Sequence, residues 1–335
     1  MKSARILPLC FFVFGIPGFI FSQGCCSGGG GSPIAGGASQ GVLLDRQMEV
    51  MVNHQYLQSD KFYSGDKDTA KLFDKLYSNY LYFRVAYGIT KDLTMSVETG
   101  YFINKSLISL EHRDTISSSG IADLILFPRY DIINRTTETH RTEWTVGLGY
   151  KIPLGKHNDS TVSYIDPTTA QKYYTTSPPT VQPTNGSNDY IFYTFLSRNY
   201  TQKNFRVFGN ALYIRKGWNS LGEKFGDYAS MSVFVSKTYL KHWGVTLQLK
   251  GEHIAKMQAA KNVDLVASYN VYTQSTGGKT VYLVPQLSYS KKALTIFALA
   301  NLPVYQYLNG VQIGTQYFIT SGLSYRFYMK KPIGE

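Results

Sequence analysis

From Val42 onward apolar and polar residues alternate with a period of two in about twelve segments, each roughly ten to fourteen residues long. They lie near 42–57, 77–88, 92–103, 119–133, 141–154, 188–199, 203–217, 226–238, 243–255, 278–290, 293–304 and 314–328. In the third, Leu93, Met95, Val97 and Tyr101 share one face, and Thr94, Ser96, Glu98 and Gly100 share the other. In the fifth, Trp144, Val146, Leu148, Tyr150 and Ile152 oppose Thr145, Gly147, Gly149 and Lys151. In the last, Tyr317, Ile319, Leu323, Tyr325 and Phe327 oppose Thr320, Gly322, Ser324 and Arg326. Aliphatic residues mid-strand with aromatics at the ends describe a lipid-facing band between interfacial girdles. Glycine and small polar residues on the other face suit a concave interior, whereas a soluble sandwich would pack its bulky face inward.

The connections alternate in length. Polar turns at 90–92, 199–203, 241–242 and 291–292 are tight, and the stretches 58–76, 104–118, 155–187 and 255–279 are long. Short periplasmic turns and long external loops predict an all-β fold: a transmembrane antiparallel up-and-down β-barrel of about 12 strands over 42–328, both termini periplasmic. Phe327 supplies the aromatic end of the last strand, and 329–335 form a short tail, basic at Lys330 and Lys331.

Composition agrees. Only 17% of residues are charged and 15% are aromatic, 27 of them Tyr, with a mean hydropathy of −0.18. This is too aromatic for a disordered chain. Past residue 22 no run of about 18 apolar residues supports a spanning helix. Lys2 and Arg5 followed by the apolar stretch 6–21 and then Ser22 predict a signal peptide over 1–22. Residues 23–41 then read as a flexible Gly/Ser-rich tail containing Cys25 and Cys26. Three states are open to this pair. Lipidation at Cys25 meets Ser22 where a lipobox needs a Leu-like residue, a soft-metal site lacks further ligands, and a mobile, oxidisable tail needs neither. The string Gly37-Ala38-Ser39-Gln40-Gly41 matches a hydrolase pattern, but the strand before it and helix after it are missing.

Alternation places Tyr80, Tyr82, Arg84, Glu98, Phe102, Asp123, Arg129, Lys151, Gln248, Lys250, Glu252, Tyr282 and Gln286 inside. A barrel of this size has a backbone radius of about 12 Å, so inward Tyr and Phe leave a narrow, aromatic-lined slot. Two readings stand. Tyr80, Tyr82, Arg84, Glu98, Phe102, Asp123, Arg129, Tyr282 and Gln286 form a substrate pathway for small hydrophobic or aromatic solutes, or the same side chains fill and rigidify the barrel. Arg84, Glu98, Asp123 and Arg129 are expected to form an internal ion-pair network on neighbouring strands, or else a charge-selecting constriction. The loop 155–187, rich in Tyr and Thr, either folds over the lumen as a gate or stays outside as a contact surface.

The net charge of +12 lies largely in turns and loops, as at Lys91, Lys156, Lys203, Lys291 and Lys292. It is scattered and carries no recognition motif, so nucleic acid is not an expected partner; outer-membrane lipids and lipopolysaccharide are. His54, His112, His140, His157, His242 and His253 have no metal-ligand spacing, and no phosphate loop or dinucleotide fingerprint occurs. No enzyme activity, metal or cofactor is expected.

Several strings resemble the outer-membrane "MetA-pathway of phenol degradation" family. They are Gly120-Ile121-Ala122-Asp123, Gly147-Leu148-Gly149-Tyr150-Lys151-Ile152-Pro153-Leu154-Gly155, Gln182-Pro183-Thr184-Asn185-Gly186-Ser187-Asn188-Asp189, Leu302-Pro303-Val304-Tyr305-Gln306 and Gly322-Leu323-Ser324-Tyr325-Arg326-Phe327. Thr184 stands where the family has its first glycine, and the Cys pair is not a family feature. The resemblance implies an outer-membrane channel for small, often aromatic or hydrophobic compounds in a Gram-negative cell, and brings no catalytic residues. A sealed structural or adhesion barrel and a charge-selective general porin are the competing readings.

Overall fold

The computed structural model describes residues 41–329 apart from 111–114 and 270. The expected signal peptide over 1–22, Cys25 and Cys26, residues 37–40 of the hydrolase-like string, His112 and the tail beyond Met329 lie outside the described residues.

Twelve strands form the wall: β1 (Gln47–Ser59), β2 (Lys75–Gly88), β3 (Leu93–Ile108), β4 (Asp123–Thr136), β5 (Arg141–Pro153), β6 (Asp189–Tyr200), β7 (Phe205–Arg215), β8 (Tyr228–Tyr239), β9 (Trp243–Ile254), β10 (Gly278–Lys291), β11 (Leu294–Gly314) and β12 (Tyr317–Tyr328). Each pairs antiparallel with its neighbours in sequence, and β1 closes on β12 from Gln47↔Tyr328 to Gln58↔Tyr317. Closure leaves no wall strand with an open edge, as a bilayer demands of any spanning sheet. The expected strand number and facing are therefore found. Segments 188–199, 203–217 and 226–238, the less regular ones in sequence, still alternate more and less exposed positions in β6, β7 and β8.

The turn chemistry fixes one end. Leu240 and Lys241 hold φ of 49° and 64° between β8 and β9, a left-handed pair whose twist matches the strands it joins. Thr90 Oγ1 accepts the Asp92 and Leu93 amides between β2 and β3. Outward at this end stand Tyr130, Trp144, Tyr239, Trp243 and Tyr325; at the other stand Tyr101, Tyr190, Tyr213 and Tyr305, all exposed. Leu247, Leu249, Val233 and Leu287 fill the exposed band between them.

Two boundaries differ from the alternation. β11 runs ten residues past 304, because its end pairs with a hairpin strand, Lys61–Gly65, through Gln312↔Tyr63 and Ile313↔Phe62. Ile313 and Phe62 are buried there, so the extension is held by packing above the bilayer. Part of the long stretch 104–118 is also strand: Thr115–Ile121 pairs with the upper part of β3.

Inside, the glycines do not leave open space. A Cβ on Gly149 would sit 2.8 Å from Phe127, one on Gly147 would sit 2.9 Å from the same ring, and Tyr80 lies over Gly100. Small residues on one strand make room for aromatics on the next.

Candidate functional site: the barrel interior

At the periplasmic end the chain before β1 turns into the barrel. Leu43 is buried, its amide donating to Thr94 Oγ1 at 2.8 Å, and the Val42 amide donates to Glu143 Oε1 at 3.3 Å. Above it lie charge clusters that the wall strands assemble. Glu49 on β1 is bound by Arg84 on β2 and Arg326 on β12. Glu143 on β5 lies 3.9 Å from Arg206 and 4.0 Å from Arg141. Asp131 accepts from Thr145 at 2.5 Å and Asn134 at 2.9 Å.

The middle is aromatic. Tyr80 and Phe102 pack at 4.5 Å between ring centroids, and Phe208 stacks on Phe234 at 4.3 Å. Phe127, Tyr193 and Phe195 join these in the wall formed by β4 to β8. Cations are threaded among the rings: Arg206 lies 4.8 Å from the Phe208 centroid, Arg129 5.8 Å from Phe127 and Lys250 5.7 Å from Tyr282. Several buried polar tips in this layer meet a partner, as a low-dielectric interior favours. Tyr82 donates to Glu98 at 2.6 Å, Ser96 donates to Glu98 at 3.0 Å, and Tyr228 donates to Glu252 at 2.6 Å. Gln248 donates to Ser232 at 3.0 Å, and Lys250 pairs with Glu252.

At the extracellular end Lys151 bridges Asp123 at 3.1 Å and Asp189 at 3.0 Å, and Lys216 holds Asp189 at 3.1 Å. The loop that begins at 154 divides here. Its hairpin, Ser160–Ile165 with Lys172–Thr176, projects outward and exposes Tyr173 and Tyr174. Its return segment, 177–184, descends into the mouth. Val181 is fully buried against Leu57, Leu76 and Leu107, while Lys105 donates to the Gln182 carbonyl and Thr184 donates to Asp123. The hairpin therefore stays outside, and the return segment lies over the lumen.

Thus every residue expected inside is inside. They do not form one network: Arg84 stands opposite Glu98 in register, but Asp123 belongs to the Lys151 cluster at the mouth. Glu49, Glu143, Asp189 and Arg206 were not singled out from the sequence, although Glu49 alternates with Met51, Asn53 and Gln55 on the same face of β1.

One loop carboxylate is poised by burial. Glu223 is 2% exposed in the extracellular connection between β7 and β8, held by Asn219 at 2.9 Å. Burial is the main cause that raises its pKa, and hydrogen bonds from Asn219 and Tyr269 and the nearby His157 offset it only in part. The folded loop therefore keeps the Glu223 proton at a pH where a free glutamate has lost it, so its stability falls as pH rises from the ordinary glutamate value through the raised one. Hydrogen-exchange protection of 218–225, corrected for intrinsic rates, is expected to be higher in acid than at neutral pH, and Glu223→Gln is expected to remove that difference.

No family model and no curated protein matches the sequence. Among solved structures, the COG4313 outer membrane channel of Pseudomonas putida F1 covers 87% of this chain and 99% of its own, at 12% identity and a TM-score of 0.64. The chain is an outer-membrane β-barrel. Looser likenesses run to the KdgM porin, at 9% identity over 83% of this chain and 99% of that one with a TM-score of 0.41, and to the NanC porin, at 11% over 82% and 98% with the same score. The Pseudomonas channel belongs to the phenol-degradation MetA-type family, the one the sequence strings resemble.

Proposed function

We propose that this barrel carries small hydrophobic or aromatic solutes across the outer membrane and belongs to the MetA-type family. The observation that carries the reading is the aromatic middle of the lumen. Tyr80, Tyr82, Phe102, Tyr193, Phe208 and Tyr282 stand buried on strands all round the wall, and the hydroxyls of Tyr82 and Tyr282 are already bonded to Glu98 and Thr315. Rings whose hydroxyls are occupied offer an incoming solute an apolar surface and few polar groups to strip of partners. A general charge-selective porin is disfavoured by the same chemistry, since the inward carboxylates Glu49, Asp123, Asp189 and Glu252 are tied to cations. One observation favours a sealed barrel instead: Leu43 and Val181 are buried at the two mouths.

Planar-bilayer conductance of the refolded barrel separates the readings. A small conductance blocked by a dissolved aromatic solute is expected, with the block weakened about fivefold in Tyr82→Ala and Phe102→Ala, as loss of a stacking partner worth about 1 kcal/mol implies. No conductance, together with no solute uptake into liposomes, would establish the sealed barrel.

A further inference from the structure

The outer wall holds a feature that the lumen reading does not use. Across β6 to β11, at the extracellular edge of the lipid-facing band, lies an apolar groove of about 750 Å³. Small residues, Ala211, Ala229 and Gly251, line it around Met231, which stands between Ala211 and Gly251 in register, together with Phe192 and Tyr305. A Cβ built on Gly251 meets nothing within 4 Å, so the wall here is recessed and open to the membrane.

The rim is basic. Lys279 and His253 stand directly opposite each other in the β9–β10 register, at the upper end of the groove. Both are exposed, and among the described residues neither has an ion-pair partner. Arg215 is exposed on β7 nearby, while the rim carboxylate Asp227 is occupied by the Tyr213 hydroxyl at 2.9 Å and the Lys216 amide at 2.8 Å. An ammonium beside an imidazole with no carboxylate between them is an arrangement that an anion completes. Its height is set by the strand. His253 lies ten residues beyond Trp243 on β9, which at a strand rise of about 3.4 Å and a tilt of about 40° is about 25 Å, the far edge of the bilayer core.

We propose that this groove is a binding site for lipopolysaccharide, with a saturated acyl chain over Ala211, Ala229 and Gly251 and a lipid A phosphate on Lys279 and His253. Depth, apolar walls and an anion-seeking rim at the outer-leaflet headgroup level match that amphiphile. A neutral-headed lipid would leave the basic pair unanswered. The site lies outside the lumen and does not depend on what the lumen carries.

Native mass spectrometry of the detergent-solubilised barrel with bisphosphorylated, hexa-acylated lipid A tests it. The unaltered protein should retain one lipid A. Gly251→Leu, whose Cβ meets nothing within 4 Å, should weaken retention at least about tenfold. Lys279→Gln should weaken it about fivefold, the value of one surface cation against an anionic lipid. Val97→Leu, on the opposite wall, should leave it unchanged. Heat-modifiable gel mobility reports folding, and if Gly251→Leu fails to fold, Lys279→Gln decides alone. Retention equal to that of the unaltered protein in the folded variants would overturn the proposal. So would a dimer of the barrel that Gly251→Leu splits while lipid A binding persists, because the groove would then seat a second copy.

Discussion

Glu49→Leu is expected to destabilise the barrel by about 3–5 kcal/mol, because it removes the ion-pair partner of a buried guanidinium. Arg84 is 5% exposed and Glu49 0%, and Glu49 also holds Arg326 from β12 across the closing seam of the barrel. The variant thus removes the shared anion of two cations on three adjacent strands. Replacing both members of the inner pair, Glu49→Leu with Arg84→Met, should recover most of the loss, since a well-packed apolar pair is about as stable as a buried ionic one. Equilibrium unfolding in lipid vesicles measures both. A loss below about 1 kcal/mol for the single variant would mean that lumen water solvates Arg84, which would itself favour an open passage.

Excision of 159–180 is expected to raise single-channel conductance at least about threefold, since a constriction at a pore mouth governs the current through it. The deletion removes the exposed hairpin and the first half of the return segment. It also cuts the bonds from Gln182 to the Asp159 and Ser177 carbonyls, which anchor Val181 over Leu57 and Leu76. The wall strands β5 and β6 remain paired from Lys151↔Asp189 downward, so the barrel should still refold. Unchanged flux in such a folded barrel would show that the segment is a surface contact and not a gate.

The two variants probe different sources of information. That Glu49 faces inward is legible in β1, where it alternates with Met51, Asn53 and Gln55. That Arg84 reaches it is not, since Arg84 stands opposite Met51 on one side and Glu98 on the other. The descent of 177–184 into the mouth is equally hidden, because Pro178, Pro179 and Pro183 mark an irregular segment without saying what it covers. The groove over Gly251 is hidden for a related reason: Ala211, Ala229 and Gly251 sit on three separate strands, and only the stagger between them gathers these small residues around Met231.

The alternation along the chain is enough to read an approximate strand number, the face each strand turns to lipid and the end at which the tight turns lie. A period-two chain in a bilayer has one permitted facing, and a slip by one residue would put every polar side chain of a strand into hydrocarbon. Which charges meet, which aromatics fill which glycine gaps and which loop segment enters the mouth emerge from the folded barrel alone. Those contacts depend on the stagger between neighbouring strands and on long side chains crossing a lumen, and neither leaves a periodic trace along the chain.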